Sequence, residues 1–240
     1  MSTLTKIDST AAARRTLGWS ILIMFVMGIY AEATRSTLID WNDPQVTWNN
    51  IEQSRIGFSL VTISFIIIII LDTVIAVGIY VLFRAQGFFL VALTAALRIT
   101  YVAIKGAALT GLVLAGNIYL GEEHTNGAAL RAMELLRSHQ HGFGIGLIIF
   151  GLHLILLSYV ARQTQFPKWM CWMLWLAGLG YIVNSVSSLF FDNQTVQMVV
   201  IGIFILPMIF SEVVFFLRLW LRGFSHQELR SSGQPLSDAA

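Results

Sequence analysis

Asp72, Arg98, Lys105, His153, Asn184 and Glu212 stand inside stretches otherwise built of Ile, Leu, Val, Ala, Phe and Gly. A charged side chain at mid-span in an apolar medium costs roughly 2.5 to 3.5 kcal/mol, so four unpaired charges would cost on the order of 10 to 14 kcal/mol. Pairing is nearly forced. The signs balance, Asp72 and Glu212 against Arg98 and Lys105, so the group can be neutral without any ligand. Three kinds of chemistry fit these residue types. Asp72, His153 and Glu212 form a carboxylate, imidazole, carboxylate set able to pass protons. Arg98 and Lys105 could hold an anionic head group whose tail lies between helices. Glu212 or Asp72 could serve as general acid or base on a lipid or isoprenoid, with His153 moving the proton. Against all three stands a purely structural ion-pair network that sets helix register.

Spacing groups these side chains further. Thr94, Arg98, Tyr101 and Lys105 are four, three and four residues apart, which puts them on one helical face; His139, Gly142, Gly146 and His153 share a face in the same way. Counted from the predicted ends of their spans, Asp72, Arg98, His153 and Glu212 fall in one layer. Lys105, Tyr181 and Asn184 lie a few residues further out, and Glu32, Arg35, His139 and His141 lie near the outer surface. Glu122, Glu123, His124, His139 and His141 also cluster there, but not in a metal-ligand pattern. Two histidines two residues apart point to different faces, so no metal is expected. No G-x-S-x-G, P-loop or H-E-x-x-H motif is present, and no cofactor is expected. Asn193-Gln194-Thr195 matches a glycosylation sequon in a loop too short to be a comfortable acceptor.

The elements that must position these residues follow from composition. Of 240 residues, 56% are apolar and 12% charged, about half the charged fraction of a soluble domain, and mean hydropathy is +0.73. Six apolar runs are predicted to span a bilayer as helices: Leu17 to Ala33, Ile56 to Phe83, Gly87 to Tyr119, His141 to Ala161, Trp169 to Phe190 and Val196 to Leu221. The fold class is therefore all-α, a polytopic helical bundle. It has an N-terminal segment 1–16, a membrane domain 17–222 and a disordered tail 223–240. With the N-terminus inside, nine Lys and Arg fall in cytoplasmic segments against four outside, so both termini are expected in the cytoplasm. Arg14-Arg15, the apolar run to Tyr30 and Ala31-Glu32-Ala33 also read as a cleavable signal peptide, which would leave five spans.

Trp169, Trp172 and Trp220 are expected at one membrane surface, and Trp41 and Trp48 at the other. Thr125 to Arg137 is predicted to be a short helix lying on the outer surface, capped at Thr125 or Asn126. Gly142, Gly144 and Gly146, with Gly178 and Gly180, predict close approach of the fourth and fifth spans. The lone Cys171, beside Trp169 and Trp172, reads as packing and excludes an intrachain disulfide. A net charge of +2 suggests no nucleic-acid partner. The expected partners are the lipid bilayer and a small-molecule or lipid ligand, and oligomeric state is not legible.

The stretch from Gly142 to Phe190, with "GFGIGLIIFGLHLILLSYV", "FPKWM" and "LAGLGYIVNSVSSLF", resembles the bacterial family Domain of Unknown Function 4386. Glu32, "LRITYVAIKG" around Arg98 and "FSEVVFFLRLWL" around Glu212 are similar to its pattern too. The more specific block holds Gly151, His153, Pro167, Gly178, Gly180 and Tyr181. This chain has Asn184 where the resemblance implies an aspartate. The resemblance implies a helical bundle in a bacterial cytoplasmic membrane and brings no established activity. The leading expectation is a membrane protein that binds or moves a small ligand or ion through the buried polar group. A membrane-embedded lipid enzyme and a structural or regulatory protein are the alternatives.

Overall fold

Uninterrupted apolar sequence gives uninterrupted helix. The structure, a computed structural model, describes residues 3–121, 125–164, 166–191 and 194–222. Among these the chain forms α1 (Thr3–Leu38), α2 (Pro44–Gln53), α3 (Arg55–Phe83), α4 (Phe88–Tyr119), α5 (Asn126–Arg162), α6 (Lys168–Phe190) and α7 (Gln194–Arg222). All but α2 are long and apolar enough to cross a membrane, so the protein is a six-span all-α bundle. The breaks have local causes. A 3-10 turn at Arg84–Gln86 leads into Gly87, whose φ of 138° is barred to most side chains, and this turn reverses the chain between α3 and α4. Pro167 stands just ahead of α6. Pro207 sits inside α7 and has no N–H to offer Ile203 one turn back, which weakens the helix there.

The spanning helices pack in a ring in chain order, α1 on α3, α3 on α4, α4 on α5, α5 on α6 and α6 on α7; α7 closes against α1. That last seam is the sparsest, with Trp19 on Trp220 at 5.1 Å and Phe25 on Phe210 at 6.3 Å. The apolar interior is two clusters rather than one. The cluster nearer the termini holds Leu17, Ile79, Phe83, Leu154, Leu157 and Phe215, while the one at the far end holds Trp48, Phe58, Phe65, Leu112, Tyr119 and Leu136. Cys171 is buried in the first, as read from its neighbours, while Trp169 and Trp172 are exposed.

Three expectations change at the far end. The segment Thr125 to Arg137 does not lie on the surface. Thr125 does cap it, accepting from the Ala128 amide at 3.1 Å, but no Pro or turn residue follows, and the helix runs straight into the fourth span. At about 1.5 Å per residue α5 is roughly 55 Å long, so its first turns project beyond a hydrocarbon core of about 30 Å. Ala129, Met133 and Leu136 there are buried. The polar stretch after Thr34, in which Trp41 and Trp48 were expected at the membrane surface, is largely helical. It contains α2, started by Asp43, whose carboxylate accepts from the Gln45 and Val46 amides at 2.8 and 3.1 Å, with Pro44 at the first helical position. Trp48 on α2 is buried edge-on against Tyr119 at 5.3 Å, so it ties α2 to α4 instead of anchoring in lipid head groups. Asp43→Ala should therefore cost about 1 kcal/mol and loosen α2 selectively, read as faster amide exchange over residues 45–53 with the spans unchanged.

The glycines also pair differently. α5 and α6 are neighbours as predicted, but the mutual contact is Gly151 against Gly178. Gly142 faces Ala108 and Gly146 faces Tyr101, both on α4, while Gly180 faces Phe204 on α7. The sequon at Asn193, the residues Glu122, Glu123 and His124, and the tail 223–240 lie outside the described residues.

Candidate functional site: a buried layer of charge between the two cores

Arg98 is the centre. Its Nε and Nη2 donate to Asp72 Oδ1 on α3 at 3.1 and 2.6 Å, and Nη1 donates to Glu212 Oε1 on α7 at 2.5 Å. Nη1 also lies 3.2 Å from His153 Nε2 on α5, and Nη2 lies 3.5 Å from Glu212 Oε2. All five N–H groups of the guanidinium thus have an acceptor, and its face rests over the Phe150 ring at 5.3 Å. Arg98 is wholly buried, as are Asp72 and His153; the Glu212 side chain keeps 13% exposure. Four helices are tied together at this point.

His153 can be assigned a tautomer from its neighbours. Its Nδ1 lies 2.8 Å from the Thr94 carbonyl, which can only accept, so Nδ1 carries the proton. Nε2 faces a guanidinium that can only donate, so it carries the lone pair and the ring is neutral. Both nitrogens are occupied. In this arrangement Nδ1 is taken by the Thr94 carbonyl and Nε2 faces the Arg98 guanidinium.

Two turns further along α4 the pattern changes. Lys105 is buried, and its ammonium donates to the Tyr101 hydroxyl at 2.9 Å and lies 4.0 Å from Asp72 Oδ2. The faces of Phe65, Tyr101 and Phe143 surround it at 5.8, 5.3 and 5.2 Å. Asp72 Oδ2 is itself buried and, among the described residues, accepts no hydrogen bond. The Asp72 carboxylate is therefore divided, one oxygen held by Arg98 and the other facing an ammonium too distant to bond it.

The predicted faces hold in space. Thr94, Arg98, Tyr101 and Lys105 are all buried on the inner side of α4, and His139, Gly142, Gly146 and His153 face them from α5. Tyr181 on α6 packs edge-on against Phe150 at 5.2 Å and donates to the Met208 carbonyl at 3.0 Å, one turn before Glu212. It braces the turn of α7 that follows Pro207. Asn184 is half-buried and makes no hydrogen bond or ion pair with the layer. His141 is exposed, and among the described residues no three His, Cys, Asp or Glu side chains come together as a metal site. Phe65, Phe143 and Phe150 were not singled out from sequence. Phe143 and Phe150 had a signal, since 139, 143, 146, 150 and 153 share one helical face, but a phenylalanine in an apolar run does not stand out by type.

The chain is similar to an uncharacterized protein of Archaeoglobus fulgidus, 29% identical over 167 residues that cover 69% of this chain and 85% of that one. No solved structure matches it. Residues 16–223 match the family described as Domain of unknown function (DUF4386), a stretch that takes in the whole charged layer and all of the spanning helices except the start of α1, and the chain belongs to that family.

Proposed function

We propose that this multi-pass membrane protein binds or transports a small ligand or ion through its polar interior, with Asp72 and Lys105 as the point of exchange. In this reading Arg98, His153 and Glu212 form the fixed part, because every donor of Arg98 is already engaged. The single observation that supports exchange is the second oxygen of Asp72, buried and unbonded 4.0 Å from the Lys105 ammonium. An unmet buried acceptor costs about 1 to 3 kcal/mol, and an ammonium has three donors of which the protein supplies one strong acceptor. A small molecule that both donates and accepts would satisfy both groups. The charge bias of the loops supports an orientation with both termini in the cytoplasm, in a bacterial inner membrane.

The structural alternative keeps one observation in its favour, the completeness of the hydrogen bonding around Arg98. The two readings separate at Lys105. Native mass spectrometry from mild detergent should find a small species retained by the wild-type protein and lost from Lys105→Met, with both variants folded. Proteoliposomes containing a pH-sensitive dye supply the arm for a proton. If the wild-type protein retains nothing and conducts no protons, or if Lys105→Met behaves identically in both assays, the exchange reading is wrong.

A further inference from the structure

The charged layer has an unequal surrounding. Toward the termini it is closed by packed rings and aliphatic side chains. Phe166 stacks on Phe215 at 4.4 Å, Phe215 stands against Phe83 at 6.0 Å and Phe216 at 5.2 Å, and Leu154 and Leu157 are completely buried beside them. Toward the far end, polar groups continue from the layer to the surface. Lys105 comes first, then His139 on α5, buried, with Nδ1 3.0 Å from the carbonyl of Ala108 one turn beyond Lys105. Beyond His139 lie Arg35 and Glu32 on α1, paired at 2.7 Å, with the Glu32 side chain 47% exposed; Arg35 also donates to Gln140 on α5 at 3.0 Å. That last bond joins two helices that are not neighbours in the ring, so it spans the mouth of the bundle.

Aromatic rings connect this file. Phe65 and Phe143 flank both His139, at 5.8 and 6.2 Å, and Lys105, at 5.8 and 5.2 Å, so the imidazole and the ammonium share one pair of rings. Among the described residues Asp72 Oδ2, at the inner end of the file, is buried and accepts no hydrogen bond. Unsatisfied polar atoms in a buried file are where internal water binds, because each such water satisfies two to four groups that the fold leaves open.

We infer that the file from Glu32 and Arg35 through His139 to Lys105 is a water-filled half-channel open only at the α2 end, terminating in a bound water that bridges the Lys105 ammonium and Asp72 Oδ2. The bridging water accepts from Lys105 and donates to Asp72, which accounts for a separation of 4.0 Å between groups of opposite charge. Arg98 is the floor, since its donors are all taken, and Phe65 with Phe143 forms the narrow point. The occupant is water, with any proton it carries. This rests on the exchange reading of Lys105 and Asp72 and adds the side from which that site is reached.

X-ray radiolytic footprinting tests it on the unaltered protein, because hydroxyl radicals form from the bound water itself. Tyr101, His139 and Phe143 should be oxidised while Leu154 and Phe215 stay protected; Tyr101 and His139 protected as fully as Phe215 would overturn the proposal. Sidedness comes from His139→Cys and Phe215→Cys, each in a Cys171→Ala background, exposed to a charged, membrane-impermeant methanethiosulfonate. The first should be labelled from the α2 side alone and the second from neither side. Labelling of either from the side of the termini contradicts a half-channel. The two proposals fail separately: oxidised Tyr101 in a protein that retains and conducts nothing removes the exchange reading, and protected Tyr101 in one that retains a ligand removes the water file.

Discussion

Arg98→Met is expected to lower stability by about 3 to 5 kcal/mol, the usual loss when one partner of a buried ion pair is deleted and the other charge is left behind. The effect should lie at the upper end, because two carboxylates, Asp72 and Glu212, lose their cation together, with only Lys105 at 4.0 Å to compensate. Arg98→Lys should rescue little. An ammonium has three donors on a point charge and cannot reproduce a planar fork that meets Asp72, Glu212 and His153 in one plane while stacking on Phe150. Replacing the whole group, Arg98→Met and Lys105→Met with Asp72→Leu and Glu212→Met, should recover most of the loss, since the desolvation cost disappears with all four charges. Denaturant or thermal unfolding in detergent measures all three. An Arg98→Met protein as stable as the wild type would mean that the layer is not what holds α3, α4, α5 and α7 together.

The second large effect is expected at the crossing of α5 and α6. A Cβ at Gly151 would lie 2.5 Å from the Gly178 carbonyl oxygen, and a Cβ at Gly178 would lie 2.5 Å from the Gly151 carbonyl oxygen. Both obstacles are backbone, which cannot swing aside as a side chain can. Gly151→Ala should force the helices apart at a cost of about 1 to 3 kcal/mol, and Gly151→Leu should cost more. His153 follows Gly151 by two residues, so the same displacement should draw its imidazole away from Arg98. Gly144→Ala is the control. Its nearest neighbour is Leu189 at 3.5 Å, an ordinary contact, so the better helix propensity of alanine should leave stability unchanged or raise it by up to about 1 kcal/mol. Equal losses at both positions would show that the glycines matter for backbone freedom and not for close approach.

Much of this arrangement was legible before any coordinates. Hydrophobic length located the six spans, and helical spacing alone put Arg98 and Lys105 on one face of their span and His139 and His153 on one face of the next. Charge balance required Asp72 and Glu212 to pair with Arg98 and Lys105, because the alternative in lipid is costly. What sequence could not supply is the choice among partners that are equal by type. Nothing in the spacing says that Arg98 takes both carboxylates completely while Lys105 is left to an aromatic enclosure, nor that Asn184 stands apart from the layer. The glycines illustrate the same limit: Gly142 and Gly151 are alike as residues, and only the rotation of α5 decides that the first meets α4 and the second α6. The failure at Thr125 to Arg137 is of another kind. Polar residues were read as a boundary, whereas a helix ends where a backbone signal ends it, and none lies between Arg137 and His141.

The ring closes through its last member, and this has a consequence for the order of synthesis. Asp72 and Arg98 lie on consecutive spans, so the α3–α4 pair inserts with its first ion pair already available. Lys105 arrives on the same pair with no second carboxylate, and α5 and α6 add only the neutral His153 to the layer. Until α7 is in place the interior therefore carries two cations and one anion, and Glu212 cancels the excess only when α7 docks against α1 and α6. Electroneutrality of the layer thus waits for α7, and a chain lacking that helix would keep an uncancelled buried cation.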